Sequence, residues 1–199
     1  MVSPRALSGI FVCLCLQAQV IEFDSNGLRY KTLTRAGVTV MFASLPVHIR
    51  DYSVLQVAVS NGSQVSWSVK PEDFTYQRSD GEMLQASNAQ DVVLSFIKHS
   101  GRSDVIKLVS TYENGLYGNI HMKSTNGYEA RRQNALAEVS SARLKAGAAA
   151  SAIVLAPTKL GAGESTDGAV FFEAPGKALG PGRLLVHIAG EIFDFESAE

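Results

Sequence analysis

Tyr128, Arg131, Arg132 and Gln133 form the sharpest chemical grouping in this chain. Tyrosine and arginine anchor interfaces because each buries a large surface and still offers hydrogen bonds. Their spacing puts them near the start of one helix, as a docking surface for a protein or an anionic envelope polymer. The plainer alternative is a solvated helix face, with Tyr128 stacked on Arg132 at i,i+4.

A second stretch, Thr158 to Glu173, nearly matches two phosphate and acyl-transfer patterns and fits neither. Gly163-Glu-Ser-Thr-Asp-Gly168 has the glycine spacing of a phosphate loop, but Ala169 and Val170 follow where Lys and Ser/Thr are required. The loop also opens a strand, so no helix N-terminus is available for a phosphate. Gly163-Glu-Ser165 begins like a nucleophile elbow, yet Asp167 stands where the second glycine belongs. The stretch therefore reads as a tight turn feeding a strand that Pro175 terminates.

The histidines, His48, His99, His121 and His187, are not paired at a metal-binding spacing. A copper site assembled from His121, Met122 and distant Met41 or Met83 is the alternative, because imidazole and thioether suit copper. Glu72-Asp73 are adjacent, and adjacent residues on a strand point to opposite faces, so a loop role fits better than acid–base work. No run of oxygen ligands has calcium-loop spacing, and no serine stands in a recognisable nucleophile motif. No cofactor is expected.

The elements that must carry these residues change period along the chain. Leu55, Val57 and Val59 alternate with Gln56, Ala58 and Ser60, which predicts a half-buried strand ended by Asn61-Gly62-Ser63. Val65, Trp67 and Val69 share one face of the next strand, with Trp67 as a core anchor. Phe74 and Tyr76 follow, and Asp80-Gly81 predicts a hairpin. Ser87-Asn-Ala-Gln90 then reads as a capping box. A helix with Val92, Val93, Phe96 and Ile97 in its stripe follows. A second helix starts at Ser103 and stops at Gly115. A third runs from Tyr128 to about Ala146, with Gly147 beyond it. Strands return at Ser151–Leu155, Thr166–Glu173 and from Gly182 onward. Leu184, Val186 and Ile188 have the opposite parity to Phe193 and Phe195, so a bulge or turn is expected near Gly190.

The pattern is mainly β with a helical insertion over 87–147, an α+β arrangement in which a block of about three α-helices interrupts an antiparallel sandwich. Neither flanking half has enough strands for a sandwich of its own, so the halves are expected to share one sheet system over 20–199.

Val59-Ser-Asn-Gly-Ser63, Trp67, Pro71, Phe74, Asp80-Gly81, Gly163-Glu-Ser165, Gly168 and Val170-Phe-Phe172 together resemble the immunoglobulin-like β-sandwich domains of uncharacterised bacterial secreted proteins and lipoproteins. The resemblance covers about 29–84 and 153–195 and rests on turns and strand patterning. The helical block departs from the minimal pattern, and the cysteine pair of many such domains is missing. The resemblance implies export and an adhesive, assembly or envelope role. It transfers no catalytic residue.

The 199 residues carry a net charge of −1, which offers no global basic field for nucleic acid. No apolar run is long enough for a transmembrane helix. Arg5 followed by the short apolar run Ala6–Leu16 has the form of a secretory leader over residues 1–19. Val12 and Leu14, each preceding a cysteine, are too large for a lipoprotein cleavage site, so simple export to the periplasm or beyond is favoured over lipid anchoring. Cys13 and Cys15 both fall in that leader, leaving a cysteine-free mature chain. The resulting expectation is an exported, non-enzymatic binding or assembly module of the cell envelope. A periplasmic copper-binding protein is the alternative, and an enzyme with a cleft beside the helical block comes third.

Overall fold

The computed structural model describes residues 19–99, 101–119, 124–136, 142–176 and 178–196. Strands β1 (Ile21–Ser25), β2 (Leu28–Arg35), β3 (Val38–Ile49) and β4 (Tyr52–Asn61) form consecutive antiparallel hairpins. Then come β5 (Trp67–Val69), a 3₁₀ turn at Pro71–Asp73, β6 (Phe74–Arg78) and β7 (Met83–Gln85). Helices α1 (Ala89–His99), α2 (Arg102–Gly118), α3 (Tyr128–Leu136) and α4 (Ala142–Ile153) follow. The chain ends in β8 (Thr158–Leu160), β9 (Ser165–Glu173), β10 (Gly182–Ile188) and β11 (Glu191–Phe195).

Two sheets carry the architecture, in the orders β1-β2-β3-β4-β9 and β11-β10-β6-β7, and β5 pairs with β8 separately. Each large sheet draws strands from before and after the helices, through the antiparallel pairs β4–β9 and β6–β10. The sheets pack through Leu55, Val57, Val170 and Phe172 on one side and Phe74, Val186 and Phe193 on the other. The opposite face of the five-stranded sheet meets the helices, with Tyr30, Ala43, Val54 and Phe171 against Phe96, Leu108, Tyr112 and Ile153. The result is three layers: helices, five-stranded sheet, four-stranded sheet.

The central layer explains why these strands are so apolar. An antiparallel sheet with one wet face alternates apolar and polar residues, whereas one covered on both faces does not. Accordingly, Val170, Phe171 and Phe172 are all buried, and Gln56 is buried along with Leu55 and Val57. The half-buried strand expected at 54–60 is thus covered on both sides, because the helices roof the face that carries Gln56 and Ala58.

The helical block also closes the outer edge of β9. An open edge would leave a row of backbone donors and acceptors unpaired. Ser87 N donates to Phe171 O (2.7 Å), Asn126 N to Ser165 O (3.1 Å) and Leu155 N to Ala169 O (2.8 Å). The entry, the middle and the exit of the block therefore each add backbone hydrogen bonds to one strand.

Several local boundaries differ from the sequence reading for identifiable reasons. Helix α1 is capped by Asn88, whose Oδ1 accepts from Gln90 N (2.8 Å), rather than by Ser87; Ser87 N is committed to β9. Helix α2 starts after Gly101, whose N–H is taken by the Asp104 carboxylate (3.0 Å), and runs through Gly115 to Gly118. Gly115 is no stop: a Cβ there would lie 2.4 Å from Gln56 Oε1, so glycine lets α2 lie close on the sheet. The third helix is two helices, α3 and α4, and α4 absorbs Ser151–Ile153, which were expected as strand. The parity break near Gly190 is a two-residue turn at Ala189–Gly190, both at positive φ, and it returns Phe193 and Phe195 to the face of Val186 and Leu184. Trp67 sits half-buried at the margin of the inter-sheet core, its Nε1 donating to Ser63 Oγ (2.9 Å).

Candidate functional site

Strand β9 places Asp167 on the same face as Ala169 and Phe171, opposite Ala58 of β4 and under the helices. The residue is 1% exposed, so its carboxylate must find partners within the protein. It accepts from Tyr112 Oη of α2 (2.7 Å), from Ser124 Oγ, and from Tyr128 N at the start of α3 (3.3 Å). The N-terminus of α3 favours that negative charge through its free amides and its dipole. Gly127 makes the approach possible, because a Cβ there would fall 2.4 Å from Asp167 Oδ1.

Arg131 braces the same junction. Its Nη2 lies 3.7 Å from the Asp167 carboxylate and donates to the Asp167 carbonyl (2.6 Å). Its Nη1 donates to Asn126 O (2.7 Å) and its Nε to Ala152 O (3.0 Å). One guanidinium thus ties α3 to β9, to the end of α4 and to the loop before α3. The fixed fork of five donors suits arginine to this work better than lysine.

The polar seam continues across the sheet. Tyr30 Oη donates within 3.2 Å of both Gln56 Oε1 and Gly115 O, and Gln56 Nε2 donates to Tyr112 O (3.3 Å). Burial pushes the Tyr112 hydroxyl well above the usual tyrosine range, and the neighbouring Asp167 charge adds to the effect. Tyr128 is pushed up by burial and by its hydrogen bond to Glu113 (2.5 Å). Both phenols therefore keep their protons and act as donors.

A cavity of about 730 Å³ opens between the end of α2 and the start of α3. Asp167 and Tyr128 contribute to its inner wall, and Tyr117, Asn119, Glu129 and Gln133 also line it. Tyr117 is 58% exposed. Arg132 is held over the Tyr128 ring, 5.9 Å from its centroid, and 3.4 Å from Glu113. Tyr128 also contacts Tyr112, with ring centroids 5.2 Å apart and the planes tilted by 58°.

The grouping read from the sequence is therefore split. Tyr128 is 2% exposed and Arg131 is turned into the hydrogen-bonded junction, while Arg132 and Gln133 remain at the surface. The residues that organise the site, Asp167, Tyr112 and Gln56, were not singled out in the sequence. The available signal was parity: Asp167 falls in step with Ala169 and Phe171, the apolar residues in the middle of that strand face.

Of the residues considered for copper, the two described ones, Met41 and Met83, lie on different sheets. Met41 lies in the helix-side core and Met83 is exposed on β7. His48 contacts Ser53 Oγ (3.3 Å), His99 ends α1, and His187 is exposed on β10. His121 and Met122 lie outside the described residues, as do residues 1–18 of the leader expected over 1–19. Among the described residues there is no cluster of three or more His, Cys, Asp or Glu fit to hold a metal, and no helix is long and apolar enough to cross a membrane. Glu72 and Asp73 serve the turn, accepting from Asn88 Nδ2 (2.6 Å) and Lys70 N (2.9 Å).

Comparison with known proteins finds no matching family model and no matching curated protein. Among solved structures, the yjhA protein from Bacillus subtilis is similar over 84% of this chain and 77% of its own, at 11% identity and a TM-score of 0.33. That likeness is too slight to bear on function.

Proposed function

We propose that the protein is an exported, non-enzymatic binding module of the cell envelope, and that the cavity between α2 and α3 is its ligand site. The carrying observation is a cavity of about 730 Å³ set against a wall braced by hydrogen bonds before any ligand arrives. That volume lies within the roughly 300–1,000 Å³ common for small-ligand sites. A braced wall lowers the ordering cost of binding. Asp167 is engaged at both oxygens and its tyrosine neighbours hold their protons, which suits support rather than proton transfer.

The two face-packed antiparallel sheets are compatible with an immunoglobulin-like sandwich to which the helical layer has been added. The leader-like pattern of residues 1–19 supports export. A small ligand or the end of an envelope polymer would enter past Tyr117 and Gln133.

Two measurements test the proposal. Fractionation of cells producing the C-terminally tagged chain is expected to place it outside the cytoplasm with its leader removed. A thermal-melt screen of the purified chain against small polar compounds is expected to find stabilisers, since a ligand of the folded state raises the melting temperature. Retention in the cytoplasm with an intact N-terminus would overturn export. Stabilisation that Tyr117→Ala and Gln133→Ala leave untouched would overturn the cavity as the site.

A further inference from the structure

We propose that this cavity takes a short neutral saccharide, with the Tyr117 ring as the platform on which one sugar ring lies. The inference rests on the cavity being a ligand site and adds the chemical class of the ligand. Three observations carry it: the charge of the wall, the state of its aromatic rings and the polar groups it offers.

The charges around the cavity are already answered. Asp167 receives hydrogen bonds from Tyr112, Ser124 and Tyr128 N and has Arg131 beside it. Glu113 is paired with Arg132. Glu129 sits in the first turn of α3, where the helix dipole favours a carboxylate, and it is open to water. No lysine, arginine or histidine is among the described residues that line the cavity, and the cation beside it, Arg132, is already paired with Glu113 and held over the Tyr128 ring.

The aromatic surface is equally selective. An organic cation is best held by several free aromatic faces. Tyr128 cannot supply one, since Tyr112 and Arg132 already contact its ring. Among the described residues that line the cavity, Tyr117 is the one with an exposed aromatic ring, at 58%. One flat apolar face matches the axial C–H face of a pyranose. Glu129 and Gln133, one turn apart on α3, add a carboxylate and an amide, whose paired oxygens and N–H groups suit vicinal hydroxyls. Thr125 adds a hydroxyl on the loop before α3.

The test uses the full chain and two probe series: neutral mono- and disaccharides (glucose, galactose, N-acetylglucosamine, cellobiose and maltose) and organic cations (choline and spermidine). Thermal melts identify binders and calorimetry measures their affinities. At least one saccharide is expected to raise the melting temperature. Tyr117→Ala is expected to weaken that affinity about tenfold, a loss of about 1.4 kcal/mol. Because Tyr117 is exposed, the unliganded variant should melt as the parent does, and Gln133→Ala provides a second variant on the opposite wall. Saccharide binding untouched by both substitutions would overturn the proposal. Cation binding that Tyr117→Ala abolishes, without saccharide binding, would overturn the sugar and leave the ligand site standing. No response to either series would overturn the saccharide, and silence across the broader screen of polar compounds would remove the site itself.

Discussion

On one face of the five-stranded sheet, Leu55, Val57 and Phe172 meet Phe74, Val186 and Phe193. On the other face, two residues along the same strands, Gln56 and Asp167 meet Tyr112, Arg131 and the start of α3. The first contact is held by apolar burial and ring packing, such as the edge-to-face pair of Phe42 and Phe195 at 5.0 Å. The second adds a buried charge and a chain of hydrogen bonds, which costs desolvation and repays it only when every partner is in place. Apolar packing tolerates volume-conserving change, whereas a polar seam demands one geometry. It is the seam side that bears the cavity.

The sharpest way to break this contrast is Asp167→Ala. It strands the hydroxyl of Tyr112 and the amide of Tyr128 inside the protein and takes the carboxylate from Arg131. We expect a loss of about 3–5 kcal/mol in urea unfolding, together with a changed near-ultraviolet tyrosine signal. An unchanged unfolding midpoint would show that the seam contributes little.

Leu55→Ala tests the dry face, where the side chain is fully buried. The expected loss is about 2–5 kcal/mol from lost burial and the cavity left behind. Ligand binding between α2 and α3 should survive in the folded fraction. Loss of binding in step with Asp167→Ala would mean that the two faces are not separable.

Alkaline pH should act mainly on the seam side. Tyr30, Tyr52, Tyr112 and Tyr128 belong to the helix-side core and all have raised hydroxyl pKa values, burial being the first cause in each. Tyr76 is the corresponding residue on the dry face. Below the ordinary tyrosine value of 10.0 both folded and unfolded chains keep these protons, so stability is unaffected. Above it the unfolded chain ionises first, and stability falls until the folded value is reached. The slope is up to about 1.4 kcal/mol per pH unit for each such tyrosine. Melts from neutral to strongly alkaline pH should therefore be less pH-sensitive in Tyr112→Phe than in the parent. Equal slopes would argue that Tyr112 is not protected in this way.

Arg132→Ala should have the smallest effect. Its pairing with Glu113 is partly exposed, with 46% of the arginine side chain accessible, so less than about 1 kcal/mol is expected in urea unfolding. A larger loss would move Arg132 from the rim of the site into its framework.

Residues whose spacing reports a face were readable in the chain. Leu55, Val57 and Val59 do lie together, and the opposed parities of Val186 and Phe193 pointed to the turn at Ala189–Gly190. Residues with two roles were misread. Gly115 resembled a helix stop but gives room to Gln56, and the apolar run 151–155 fits a strand as well as the last turn of α4. Tyr128 and Arg131 stood out by type, yet type does not say which way a helix faces. Asp167 was noticed only as the residue that spoils a nucleophile-elbow pattern.

Alternation, turn residues and composition are local properties, and from them the amino-acid order alone determined a β-rich chain interrupted by helices. Which faces are covered depends on contacts between residues far apart in sequence. Only the tertiary structure could seal β9 with Ser87, Asn126 and Leu155, and only it could bring Tyr112 and Arg131 to Asp167. The physical reason is that a buried carboxylate is tolerable only beside its partners, and those partners arrive from three separate helices and loops.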